Sequence, residues 1–332
     1  MIEVINLEKT FRTSKKFPGL KGAIKSLFTK EYTEKKAINN ISFSIPDGQI
    51  TGYIGSNGAG KSTTIKIMTG ILTPTNGKVL VEGKEPYKCR EENAKNIGVV
   101  FGQRTQLWWD LPLCESFTIL QKIYEIPEIE FKERLDYFTE LLGLDEFFMQ
   151  PVRTLSLGQR MKADLAASLL HNPKILFLDE PTIGLDVLVK ERVRKAIKEI
   201  NEKYGTTIIL TTHDMQDIEQ LCQRIILIDQ GKIVYDGNLE NLKKQYGDEG
   251  RIVLRLDSDE KECTPEKIQS LFKKNIVATF NSDGAIVVTF NLKDYTASKI
   301  LQKLLGTFKV ADFSAEGASI ENIVKKIYRD AE

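Results

Sequence analysis

The sequence predicts an α/β protein in two parts: a parallel sheet covered by helices on both faces, then a smaller α+β domain. Three observations predict it. Apolar runs of strand length alternate with helical patterns, a glycine-rich turn joins one of those strands to a helix, and after Gly237 the order becomes β-α-β-β-α-β. A length of 332 residues fits two domains, and 41% apolar with 28% charged residues excludes a disordered or fibrous chain.

The elements follow in order. Residues 41–45 (ISFSI) form a strand, and a glycine-rich stretch leads into GKSTTIKIMTGIL, a helical pattern. The runs 97–101 (IGVVF), 174–180 (KILFLDE), 206–212 (TTIILTT) and 225–229 (IILID) are too continuously apolar for strands with one wet face, so both faces are buried. Helical periodicity covers 160–171 and 187–205, and residues 224–237 make a hairpin turning at Asp229-Gln230-Gly231. Beyond it come strands at 251–256, 275–280, 285–290 and 307–313, with helices at 265–274, about 294–305 and 319–330. That order is a ferredoxin-like split βαβ module. It carries no catalytic constellation and is expected to be an accessory or dimer-contact domain.

Composition removes several functions. A net charge of +1 leaves no global basic field for coating nucleic acid. The four cysteines form no CxxC pair, and two histidines are too few for a His-rich metal site. No apolar run reaches the ~18 residues that cross a bilayer. MIEVINLEKTF lacks the basic-then-apolar build of a secretory signal, so a cytoplasmic protein is expected.

Two motifs carry chemistry. Gly55 to Thr63 reads GSNGAGKST and satisfies G-x-x-x-x-G-K-[ST]. Its glycines let the N–H groups of Ser56, Asn57, Gly58, Ala59, Gly60, Lys61, Ser62 and Thr63 converge on phosphates, and the following helix directs its positive end there. Lys61 reaches the β/γ-phosphates, and the Ser62 hydroxyl is a ligand for Mg²⁺. The second motif is the apolar strand 175–178 ending in Asp179-Glu180, at the edge where parallel sheets bind ligands. Asp179 can hold the metal while Glu180 orients and deprotonates a water.

With these residues in place, residues 1–240 resemble the ATPase subunit of an ATP-binding cassette (ABC) transporter, a P-loop NTPase with a helical subdomain. The resemblance rests on six ordered motifs: the P-loop, the acidic strand, Gln103 at the Q-loop, TLSLGQR (154–160) at the signature, Gly184-Leu185-Asp186 at the D-loop, and Thr212-His213-Asp214 at the H-loop. It implies ATP and Mg²⁺ as cofactors, with Gln103 sensing metal and γ-phosphate, and His213 holding the γ-phosphate and the water. It also implies a homodimer, or a pair with a second ABC ATPase. In it the signature of one subunit completes the other's site through Ser156, Gly158 and Gln159, at a helix expected to begin near Gln159. Leu157 stands where the commonest signature has glycine, so its side chain must point away from the phosphates. For the adenine-stacking aromatic the resemblance favours Tyr32 over Phe11.

Residues 12–36 read as a basic insertion of net charge +6, with Leu20, Ile24, Leu27 and Phe28 at helical spacing. They form either an amphipathic helix or a solvated loop. Trp108 and Trp109 are either core or a docking face for a membrane partner. The insertion, FGQRTQLWWDLP and LSLGQR together resemble an export-type branch. That branch implies separately encoded integral membrane permease subunits and a place on the cytoplasmic face of the membrane. The domains are then 1–240 for nucleotide binding and 241–332 as accessory. A soluble ABC protein acting on nucleic acid or ribosomes is the alternative. A single cassette, no heptads and no broad basic stripe weigh against it. A degenerate ATP-holding module conflicts with the presence of Lys61, Ser62, Glu180 and His213. A GTPase conflicts with Asn291-Leu292-Lys293-Asp294, which lacks the N-K-x-D order.

Overall fold

The computed structural model describes residues 1–14, 32–102, 104–247, 249–257, 263–272, 276–316 and 319–331. They fall into two compact units, Met1–Gly237 and Asn238–Glu332.

The first unit holds β1 (Ile2–Ser14), β2 (Tyr32–Ile45), β3 (Ile50–Gly55), α1 (Lys61–Met68), β4 (Asn76–Val81), α2 (Arg90–Asn96) and β5 (Ile97–Phe101). A helical stretch follows, with α3 (Leu113–Ile123), α4 (Glu128–Leu142) and α5 (Leu157–Ala167). The unit closes with β6 (Ile175–Asp179), α6 (Val187–Tyr204), β7 (Thr207–Thr211), α7 (Met215–Leu221), β8 (Arg224–Asp229) and β9 (Lys232–Asn238). The main sheet has the order β5-β6-β7-β3-β8-β9 and is parallel from β5 through β8. Every residue of β3 and β7 is buried, as expected for strands covered on both faces. The order sets the C-terminal ends of β6 and β7 side by side, with β3 next to β7. Gly55, Asp179 and Thr211 therefore share one edge.

An antiparallel sheet, β2-β1-β4, packs against this sheet through one core. Val4, Ile41 and Phe43 from the small sheet meet Tyr53, Ile209 and Ile226 from the large one, with Ile65 and Met68 of α1. β1 and β2 pair as far as Ser14↔Tyr32, so residues 12–14 and 32–36 prolong a hairpin rather than form a loop. The expected amphipathic helix over Leu20 to Phe28 lies outside the described residues. The β8–β9 turn follows expectation. Gln230 and Gly231 have φ of 46° and 75°, the paired positive values that suit a two-residue hairpin.

The second unit begins with α8 (Leu239–Tyr246) and continues through β10 (Glu249–Leu256), α9 (Pro265–Ser270), β11 (Ile276–Phe280), β12 (Ile286–Asn291), α10 (Ala297–Thr307), β13 (Val310–Glu316) and α11 (Ile320–Ala331). Its sheet runs β11-β12-β10-β13 with every neighbouring pair antiparallel. Ile252, Leu254, Ile268, Ile286, Val288, Ile300 and Leu304 form the core beneath α9 and α10. The β11–β12 turn is held by Asn281, whose Oδ1 accepts from the N–H groups of Asp283 (3.0 Å) and Ala285 (2.8 Å).

Candidate functional site

The phosphate loop leaves β3 at Gly55 and enters α1 at Lys61. Its path is possible only without side chains at certain points. Gly60 has φ 111°, and a Cβ there would stand 2.6 Å from the Ala37 carbonyl oxygen. Lys61 is buried, and its ammonium donates to the carbonyls of Gly55 (2.7 Å) and Ser56 (3.2 Å). Burial lowers its pKa, while the charges of Glu180 and Asp179 oppose that shift. Asp229, at the end of β8, accepts from the Ser56 hydroxyl at 2.7 Å, and the Gly231 N–H donates to the Ala59 carbonyl at 3.0 Å. The β8–β9 turn thus braces the loop. Asp229 was legible in principle, since an acid ending a parallel strand is the same signal that marks Asp179.

The carboxylates come from the end of β6. Asp179 Oδ1 accepts from the Thr211 hydroxyl at 2.6 Å, and the Thr211 oxygens accept the Glu180 N–H at 3.0 and 3.1 Å. Glu180 has φ 60°, a left-handed conformation costing about 1–3 kcal/mol in a non-glycine residue. The backbone bends tightly enough there that a Cβ on Gly102 would lie 2.3 Å from the Glu180 carbonyl oxygen. The Glu180 side chain lines the cleft, 2.9 Å from His213 Nε2. Burial raises the Glu180 pKa, and the charges of His213 and Lys61 pull it back. A base moved toward neutrality is better matched to taking a proton from water.

A cleft of ≈ 300 Å³ is lined by Phe11, Lys35, Asn57, Gly58, Gly60, Lys61, Ser62, Thr63, Glu180 and His213. A second cleft shares Phe11, Ser62, Thr63 and Glu180 and adds Asp179 and Arg104. P-loop, both acids and His213 are therefore brought together. Ser62 and Asp179 supply hard oxygen donors on a common wall, a set that suits Mg²⁺ completed by phosphate and water. Gln103 lies outside the described residues.

Of the two candidate aromatics, Phe11 reaches this site and Tyr32 does not. Phe11 lines both clefts, paired across the hairpin with Lys35, and the Lys9 ammonium lies 5.2 Å over its ring. Tyr32 pairs with Ser14, three positions further out along the hairpin, and lines neither cleft. Counting residues along the chain could not give this, because strand pairing decides which residue faces the loop.

Ser156, Gly158 and Gln159 also stand apart from the clefts. Ser156 is the N-cap of α5, so the helix starts at Leu157 rather than near Gln159. Its hydroxyl accepts the Gln159 N–H (3.2 Å), and Gln159 Oε1 accepts the Ser156 N–H (2.9 Å), a reciprocal capping box. Leu157 is 41% exposed and directed at Gly184, where a Cβ would meet its Cδ2 at 3.0 Å.

Sequence reasoning missed one buried network. Asp217 is fully buried and accepts from Arg194 Nε (2.6 Å), the Thr182 hydroxyl (2.5 Å) and the Thr212 hydroxyl (2.7 Å). It ties the chain two residues after Glu180 to the residue before His213. Asp214 caps α7 and takes Lys190 at 2.7 Å. Trp108 and Trp109 are partly exposed rather than core, with the Arg160 guanidinium 4.7 Å over Trp109.

A family model described as "ABC transporter" matches residues 38–183. The linearmycin resistance ATP-binding protein LnrL of Bacillus subtilis (strain 168) is 35% identical over 230 residues, 68% of this chain and 72% of that protein. The methionine import ATP-binding protein MetN of Geobacillus kaustophilus (strain HTA426) is 35% identical over 246 residues, 71% of this chain and 70% of that protein. Among solved structures, the dimeric ATP-binding cassette MJ0796 in a post-hydrolysis state bound to ADP and Pi matches with a TM-score of 0.61 at 25% identity, covering 72% of this chain and 99% of that one.

Proposed function

Because this chain belongs to the ATP-binding proteins of ABC transporters and hydrolyses ATP, we propose that it powers export through separately encoded membrane permease subunits. Two copies pair head to tail, each nucleotide lying between one copy's P-loop and the other's α5 N-terminus. The observation that carries this reading is the separation of Ser156, Gly158 and Gln159 from the chain's own phosphate cleft. A helix N-terminus is an anion site, and that of α5 is exposed at Ser156 and lies outside both clefts. The dimeric cassette among the similar structures supports the pairing. Residues 1–240 bind nucleotide and 241–332 serve as an accessory or dimer-contact domain.

Within the site, Lys61 and the loop N–H groups hold the phosphates, and Phe11 stacks on the adenine. Ser62 and Asp179, with Gln103, hold Mg²⁺, which neutralises phosphate charge when bound. Glu180 takes the proton of the attacking water, and His213, 2.9 Å from it, fixes that water and the γ-phosphate. No helix among the described residues is long and apolar enough to cross a membrane, so the permease supplies the span and holds this chain at the cytoplasmic face. Export draws support from the likeness to a resistance protein, and import is the second reading because MetN is equally similar.

Purifying the tagged chain from detergent-solubilised native membranes tests the assignment. A co-eluting integral membrane protein is expected, and ribosomal proteins or nucleic acid in its place would refute it. Reconstituting that complex in vesicles with outward-facing ATP sites separates the directions, because an exporter fills such vesicles and an importer empties them.

A further inference from the structure

Residues 105–109 run along one face of α5 and are fastened there by a single buried side chain. Asp164, 5% exposed, sits two turns into α5 within an otherwise apolar stretch of Ala163, Leu165, Ala166 and Ala167. Its Oδ1 accepts from the Thr105 hydroxyl at 2.8 Å and the Gln106 N–H at 3.1 Å, and its carbonyl accepts from Gln106 Nε2 at 3.1 Å. The Thr105 oxygen in turn accepts the Leu107 N–H at 3.1 Å. One turn earlier on the same face, Arg160 lies over Trp109. The Arg153 N–H donates to the Trp109 carbonyl at 2.9 Å, and its guanidinium pairs with Asp110 at 2.5 Å.

An apolar side chain would fill position 164 without the cost of removing a carboxylate from water. What the carboxylate adds is direction: it accepts hydrogen bonds from two successive residues and so fixes the path of the segment that carries them. We propose that Asp164 is a positioning residue for ATP hydrolysis, clasping residues 105–110 to α5 so that the segment after Gln103 and the helix capped by Ser156 move as one body. The proposal rests on the reading that Gln103 and Ser156 meet nucleotide. Gln103 lies two residues before the clasp and Ser156 two turns before it, so loosening it disturbs both ends while leaving the P-loop, Glu180 and His213 in place.

The test uses the full chain with Asp164→Ala, Asp164→Asn and Thr105→Val, measuring ATP turnover and tryptophan emission. Trp108 and Trp109 are the only tryptophans, so emission reports this segment alone. Asp164→Ala and Thr105→Val are expected to lower kcat roughly tenfold, the scale of one lost hydrogen bond to a charged group, with KM for ATP unchanged. Asp164→Asn keeps an acceptor oxygen and recovers most of kcat. The emission change on adding ATP is lost with Ala and Val and retained with Asn. Thr105→Val is isosteric at a half-buried site, so it keeps the test open where Asp164→Ala fails to fold. Wild-type kcat and emission in both Ala and Val variants overturn the clasp, as does an Asn variant as slow as Ala. Gln103→Ala and Ser156→Ala run alongside. If neither slows turnover, the underlying reading fails; if both do while the Asp164 and Thr105 variants do not, the clasp alone fails.

Discussion

Replacing Arg194 by Met removes a guanidinium from a carboxylate that has no access to water. Asp217 is fully buried and Arg194 nearly so, their closest approach being 2.6 Å. Met keeps most of the stem volume, so packing loss is small and the change isolates the charge. Breaking a buried pair by deleting one partner costs about 3–5 kcal/mol, because the remaining charge stays buried without its counter-ion. The Thr182 and Thr212 hydroxyls both donate to Oδ2 and remain, whereas Oδ1 loses its Arg194 donor. Two retained neutral hydrogen bonds place the loss at the lower end, about 3 kcal/mol. Asp214 is affected less, since Lys190 stays 2.7 Å away. Urea unfolding followed by tryptophan emission reads the effect for the Met1–Gly237 unit alone, because both tryptophans lie in it. With a slope of about 1–3 kcal/mol/M, the midpoint should fall by roughly 1–3 M. The network also joins the chain flanking Glu180 to that flanking His213, so kcat should fall in the fraction that remains folded. A loss under about 1 kcal/mol would show that the hydroxyls alone carry the buried carboxylate, and the reasoning would fail.

Three further outcomes are expected. Glu180→Gln should keep ATP binding and lower turnover by about 10²–10⁴, the range for a lost general base; single-turnover hydrolysis near the wild-type rate would remove Glu180 from that role. Phe11→Ala should weaken ATP binding by about 1–3 kcal/mol, the scale of base stacking on an aromatic, while Tyr32→Ala leaves it unchanged; the reverse pattern in a nucleotide titration would return the platform to Tyr32. Burial pushes the Asp164 carboxyl up to about 6 from 3.8, so the folded chain binds that proton more tightly than the unfolded chain. This contribution is fully present below pH 3.8 and is lost as pH rises through about 6, leaving neutral pH less favourable by about 3 kcal/mol. Urea midpoints at pH 5 and 7.5 should therefore differ less in Asp164→Asn than in the wild type, and equal pH responses would refute the assignment.

The features legible in sequence are those written within a short stretch of chain. Strands buried on both faces need continuous apolar runs, so Ile97–Phe101, Ile175–Asp179 and Thr207–Thr211 appear almost residue for residue. The phosphate loop is equally local, since Gly60 adopts a backbone conformation that only glycine takes easily. Lys61 and Ser62 could be named from the phosphate-loop motif, Asp179 and Glu180 from the end of a parallel strand, and His213 only from the resemblance.

What the tertiary structure alone decided depends on partners far apart in the chain. Phe11 rather than Tyr32 reaches the cleft because the register of β1 and β2 brings it beside Lys35. Asp229 braces Ser56 across 173 positions, Arg194 meets Asp217 across 23, and Asp164 holds Thr105 across 59. Local sequence encodes backbone conformation and burial. Which donor meets which acceptor is set by strand order and helix packing, and so it exists only once the chain has folded.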